Sequence, residues 1–138
     1  MLLDGMAAYD AAYRATTYLV RDGFDRIPLR IGERSDALDR LLARRRAREG
    51  FILTADNPGS RRLPEAANRR ARLALPPGAP TEAWADDGDW PVERGVLALA
   101  DERTARRLLR RLRQRACVHV ARGRPAVLLY AAAGYFGR

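Results

Sequence analysis

The sequence predicts an α+β fold: a mixed β-sheet with about three helices packed on it, in the order ββαβα(β)βαββ, with hairpins at both ends. Three observations lead there. Short runs rich in β-branched and aromatic residues alternate with stretches of helical periodicity. Ser35 and Asp101 head two amphipathic stretches, where capping residues belong. Turns built on Gly23 and Gly123 join paired apolar runs near the two ends. Strands separated by helices are expected as parallel neighbours, and the hairpins add antiparallel pairs.

Ala15 to Val20 reads as the first strand through Thr16, Thr17, Tyr18 and Val20. Arg26 to Ile31 follows, with Ile27, Leu29 and Ile31 on one face and Pro28 on the other, as suits an edge. Ser35 opens a helix to about Glu49, striped by Leu38, Leu41 and Leu42 and stopped by Gly50. Phe51 to Ala55 is a short apolar strand, and a helix runs from about Pro64 to Leu75 until Pro76-Pro77-Gly78 halts it. Ala79 to Glu93 reads as loop-rich and acidic, with a short strand around Trp84. After the strand Gly95 to Ala100, Asp101 caps a helix to about Arg115. Ala105, Leu108, Leu109, Leu112 and Ala116 share one side of that helix, and Arg103, Arg106, Arg107, Arg110 and Arg113 the other. Cys117 to Ala121 and Ala126 to Tyr130 form the closing hairpin.

A chain of 138 residues fits one domain, with a core over about 9–130 and tails at 1–8 and 131–138. Met6 is an alternative start, because the five residues before it show no pattern. At 47% hydrophobic and 31% charged, the composition is that of a folded chain rather than a disordered one. The single cysteine, Cys117, excludes an intrachain disulfide, and no apolar run reaches the length of a membrane span. A cytoplasmic protein with no membrane partner and no cofactor is expected. The formal charge of +9 raises affinity for any polyanion. All 26 basic residues are arginine, however, which is the mark of GC-rich coding, and aromatic residues at 7% leave few platforms for bases. Nucleic acid is therefore a possible but not a favoured partner.

Around the third strand the segment Phe51-Ile52-Leu53-Thr54-Ala55-Asp56-Asn57-Pro58-Gly59-Ser60 resembles the I-T-A-x-N-P-x-S segment of the bacterial DUF3293 family, a domain of unknown function. The resemblance runs on through Leu63, Glu65 and Asn68, through Gly88-Asp89-Trp90-Pro91 with Glu93, and through Gln114 and Ala116. Tyr9 and Tyr13 match its opening aromatic pattern, so about Tyr9 to Tyr130 is covered. Asp56 stands where that family often has an aromatic residue, and Ala67 where an acid precedes the helix asparagine. The resemblance implies no activity.

On physical grounds, the Asn57 loop is either a tight Pro-Gly turn or an anion cradle of free N–H groups with Arg61 and Arg62 beside it. Glu65 and Asn68, spaced i,i+3, are either a solvated helix face or a carboxylate–amide pair that orients a ligand. Trp90 beside Glu93 is an apolar plug or a pocket wall. Cys117 and His119 are too far apart along a strand for a nucleophilic pair, and no metal-ligand spacing exists. The candidate site is therefore Asn57, Ser60, Glu65, Asn68, Trp90, Glu93 and Gln114, taking a small polar or anionic ligand or a partner peptide. The alternatives are nucleic-acid backbone binding through arginine-rich helix faces, and a hydrolase-like enzyme using Glu65 or Glu93 as general base.

Overall fold

In the computed structural model, which describes residues 6–131, a helix precedes the first predicted strand. This helix, α1 (Met6–Arg14), is rich in alanine, the best helix former, and an Asp10–Arg14 pair at 2.7 Å braces it. It takes in residues 6–8 of the expected N-terminal tail; residues 1–5 and 132–138 lie outside the described residues.

β1 (Thr16–Asp22) and β2 (Asp25–Leu29) form the expected hairpin, with Pro28 exposed on the edge strand. α2 (Asp36–Arg44) is capped by the Ser35 hydroxyl, which accepts from the Leu38 N–H at 3.1 Å. It ends at Arg44 rather than near Glu49, in a run of three like charges whose last member, Arg46, turns left-handed at φ 56°. Gly50 accordingly lies inside β3 (Glu49–Thr54) instead of stopping a helix. α3 (Glu65–Ala71) tightens into a 3-10 turn over Arg72–Ala74. β4 (Ala79–Ala85), β5 (Glu93–Ala98), α4 (Glu102–Leu112), β6 (Ala116–Ala121) and β7 (Val127–Tyr130) complete the described chain. Asp101 caps α4 by accepting from the Thr104 N–H at 2.8 Å.

The architecture is α+β: one seven-stranded sheet with four helices among the described residues, one more than expected. The strand order is β2-β1-β4-β5-β3-β6-β7, and all neighbours are antiparallel, so the sheet is not mixed. The expected parallel partners do exist as β5 and β6, linked by α4, but β3 is interposed between them and runs opposite to both. The short strand expected around Trp84 extends to the seven residues of β4. Pro80 is tolerated within it because the ladder to β1 covers only Thr81–Ala85.

The sheet curls. Backbone bonds from the Gly32 N–H to the Ala126 carbonyl (2.8 Å) and from the Ala126 N–H to Glu33 (3.0 Å) bring the chain after β2 against the start of β7. Inside the curl, Val20, Ile27, Leu29, Ile52, Leu97, Val118 and Leu128 pack with Leu38, Leu41 and Leu42 of α2. On the opposite face Phe51, Leu53, Ala98, Cys117 and Leu129 are covered by Ala105 and Leu109 of α4.

At the sheet centre Gly95 pairs with Thr54 on one side and Thr81 on the other. A Cβ there would collide with the Leu53 carbonyl, which is backbone and cannot yield without parting β3 from β5. Gly95→Ala is expected to cost about 1–3 kcal/mol, the usual range for overpacking. Urea denaturation checks this: the midpoint falls, and an unchanged midpoint would contradict the packing described.

Candidate functional site

The inner face of the curled sheet is unevenly filled. Where α2 packs, its strand residues are Val, Ile and Leu; beneath α1 they are Thr81, Ala83, Ala85, Gly95 and Ala116. Small side chains leave space, and a cavity of about 380 Å³ occupies it. Ile52, Val118 and Leu128 give it an apolar floor, and Tyr9, Ala12 and Tyr13 of α1 form one wall. α1 is held over it by the Tyr130 hydroxyl, which donates to Asp10 Oδ1 at 2.8 Å, and by an edge-to-face contact of Tyr13 with Tyr130 at 6.2 Å.

One end of the cavity is polar, and Asn57 organises it. Its backbone is left-handed at φ 48° and ψ 58°, a conformation asparagine adopts more readily than most residues. Its N–H donates to Asn68 Oδ1 (2.9 Å), its Oδ1 accepts from the Leu63 N–H (2.9 Å) and Asn68 Nδ2 (3.0 Å), and its Nδ2 donates to Glu93 Oε2 (2.8 Å). The Trp90 indole N–H donates to the same Glu93 oxygen at 3.0 Å. Next in the chain, the buried Asp56 carboxylate receives both Arg72 Nε and Nη2 at 2.7 Å and the Arg94 N–H at 2.9 Å. Gln114 Nε2 donates to the Asp56 carbonyl at 3.0 Å, and the Gly59 N–H to the Arg113 carbonyl at 2.8 Å. The loop is thus tied to α3, to the start of β5 and to the end of α4.

Five of the seven sequence candidates, Asn57, Ser60, Trp90, Glu93 and Gln114, line the cavity. Asn68 does not: it is 5% exposed, and its amide is spent on Asn57, so it supports the wall from behind. Glu65 also lies off the cavity, exposed and paired with Arg72 at 2.7 Å; that arginine holds its carboxyl below the usual range. Of the N–H groups of residues 59–62 expected to cradle an anion, three are used within the chain: Gly59 on Arg113, Ser60 on Asn57 and Arg61 on Pro58. Cys117 is buried with its thiol pKa raised by desolvation, and His119 stacks on Phe51 and bonds Glu49 at 2.8 Å. No cluster of three metal-ligating side chains occurs among the described residues.

Thr81, Ala83, Trp84 and Ala85 also line the cavity from β4, where the sequence predicts only a short strand around Trp84, and Asp87 lines it from the turn that follows. Tyr9 and Tyr13 were visible only as part of the family pattern. Their spacing of four on an alanine-rich stretch was the available sign of a helix presenting two rings to one side.

Glu93 is the electrostatically distinctive group. Burial raises its pKa, against the opposing effect of the Trp90 and Asn57 donors, and the Asp56 charge nearby adds to the rise. Burial likewise pushes the Tyr13 phenol up to about 12, helped by the Glu93 charge. No family model, curated protein or solved structure matches the chain.

A carboxyl whose folded pKa exceeds its ordinary value of 4.5 binds more protons folded than unfolded in the interval above 4.5. Its contribution to stability is therefore lost as pH rises through that interval. Glu93→Gln keeps an acceptor for Asn57 and Trp90 but does not titrate. Its stability relative to the native chain should rise with pH from about 4.5 and level off above the folded pKa of Glu93. Urea titrations at stepped pH measure the difference, in which the carboxylates common to both proteins cancel. A pH-independent difference would contradict the assignment.

Proposed function

We propose that this protein is a binding module for a small, largely apolar molecule with one hydrogen-bonding head group. The body of the molecule lies along Ile52, Val118 and Leu128, and the head meets Glu93 beside Asn57 and Trp90. The carrying observation is that Asn57, Ser60, Trp90, Glu93 and Gln114, drawn from three separate stretches of chain, border one cavity of about 380 Å³. That volume is within the span usual for small-molecule sites. The polar wall is rigid before any ligand arrives, because its side chains are already hydrogen-bonded to one another.

Membership of the DUF3293 family belongs to the same proposal. The residues that carry the resemblance, among them Tyr9, Tyr13, Thr54, Asn57, Trp90 and Glu93, border the cavity, as residues selected for a common ligand would. We also place the protein in the bacterial cytoplasm, on its single buried thiol and its lysine-free basic composition. The anionic form of the ligand reading loses support, since three of the four loop N–H groups, those of Gly59, Ser60 and Arg61, are engaged. An enzymatic reading keeps Glu93 as its one candidate base, with no nucleophile bonded to it among the described residues.

One observation favours a second reading. Arg103, Arg107, Arg110 and Arg111 of α4 are exposed and form no salt bridge among the described residues, which suits a phosphate backbone. A single experiment separates the two. Thermal-shift screening of a library of small apolar compounds with polar heads is run on the native chain and on Ala83→Phe, which fills the cavity; Ala85→Phe serves if the first variant does not fold. Ligand at a hundred times its Kd raises stability by about 2.7 kcal/mol in the native chain, and the blocked variant shows no shift. Absence of hits, or hits indifferent to blocking, would sink the cavity reading. Oligonucleotide binding that falls with salt and is lost in Arg107→Ala/Arg110→Ala would favour the second.

A further inference from the structure

The chain is strongly cationic, yet its cavity is not. None of the 26 arginines is among the described residues that line it, whereas Asp87, Asp89 and Glu93 are. The distribution of ion pairs sharpens the contrast. Asp10, Asp22, Asp39, Asp56, Glu82 and Glu102 are wholly or partly buried, and each has an arginine within ion-pair distance. Glu49, also partly buried, has His119. Glu93 stands apart: among the described residues, no cation reaches it.

Its environment is built for the ionised form all the same. Two N–H donors, Asn57 Nδ2 at 2.8 Å and Trp90 Nε1 at 3.0 Å, converge on Oε2. No donor from the described residues reaches Oε1. Desolvation without a counter-charge is a cost that a chain so rich in arginine could have removed by placing one nearby. Trp90 is the ring bonded to the carboxylate, and further rings line the cavity. Tyr13, Trp84 and Trp90 line the cavity, and the two tryptophans remain 37% and 36% exposed, unusual for side chains of that size. Tyr9 shows what such a ring accepts here, since the Arg115 guanidinium sits 4.1 Å from its centroid. With Tyr9 so occupied, Tyr13, Trp84 and Trp90 are the remaining aromatic residues of the lining. At the rim, Asp86 is neutralised by Arg30, but Asp87 and Asp89 are not paired with any arginine among the described residues.

We infer that the cavity takes a small organic cation, a primary or quaternary amine on an apolar body, whose charge is met by Glu93 and whose carbons contact Trp84, Trp90 and Tyr13. Aromatic faces beside a carboxylate bind such cations through the ring quadrupole and direct charge attraction together. Asp87 and Asp89 draw the cation to the mouth, and the exposed arginines elsewhere repel it from the rest of the surface. The inference rests on the cavity being a ligand site, so its test must fail separately from that reading.

The probes are a matched series with one ring and one head: benzyltrimethylammonium, benzylamine, benzyl alcohol and phenylacetate. Binding is followed by tryptophan fluorescence and calorimetry on the native chain, on Ala83→Phe and on Glu93→Gln. The ammonium compounds should bind at least about tenfold tighter than the alcohol, with phenylacetate weakest. Glu93→Gln should bring the amines down to the level of the alcohol and leave the alcohol unchanged. If that variant does not fold, Asp87→Asn/Asp89→Asn should weaken the amines alone, by about two- to threefold. Alcohol or phenylacetate binding as tightly as the amines, and abolished by Ala83→Phe, would overturn the cation inference and keep the cavity reading. Failure of all four probes to bind the native chain would overturn both.

Discussion

Asn57 sits in the left-handed region with all four of its hydrogen-bonding groups engaged, and the polar end of the cavity is assembled through it. Its amide joins three parts of the chain that share no sequence proximity: the loop leaving β3, the face of α3 at Asn68, and the start of β5 at Glu93. The reciprocal pairing with Asn68 is buried, so an unmade bond there would leave a desolvated amide at a cost of about 1–3 kcal/mol. The adjacent Asp56–Arg72 pair adds a bidentate clamp from the same loop to the end of α3. Both neighbours are therefore anchors. Through them the loop offers Glu93, which among the described residues is bonded on one oxygen only, to the cavity.

The cavity itself follows from where the sheet places its small residues. Across the inner face, Ala83 faces Glu93 and Tyr18, Thr81 faces Gly95 and Val20, and Thr54 faces Gly95. A sheet that filled these positions with Val or Leu would close on itself as it does beneath α2. Thr81 and Gly95 cannot readily be enlarged, because β3, β4 and β5 approach closely at that level. The constraint that makes the sheet centre tight is thus the same one that keeps the region under α1 open. Rigidity and vacancy come from the same residues.

Much of this was legible in the sequence. The caps at Ser35 and Asp101, both hairpins, the strand before Asn57 and the amphipathic α4 follow from local patterns, which near neighbours decide. Five cavity residues were also named from motifs alone. What failed depended on non-local pairing. β4 carries Pro80, Glu82 and alternating alanines, a poor strand signal, and it is a strand because β1 and β5 flank it on both sides. The antiparallel arrangement was hidden for a similar reason: βαβ spacing says that β5 and β6 run alike, and nothing local says that β3 lies between them. Glu65 was chosen for its i,i+3 spacing from Asn68 and its place in the family pattern, but its pairing with Arg72 is a matter of tertiary packing.

The account stands on Glu93 and Trp90 facing a ligand together. The most direct measurement is a two-dimensional ¹H–¹⁵N spectrum of the labelled protein during titration with benzyltrimethylammonium, observing the indole N–H groups. The account predicts that the Trp90 and Trp84 indole signals move and saturate together, while the backbone amides of the α4 arginines stay in place. A Trp90 indole signal that remains fixed as binding saturates would contradict it.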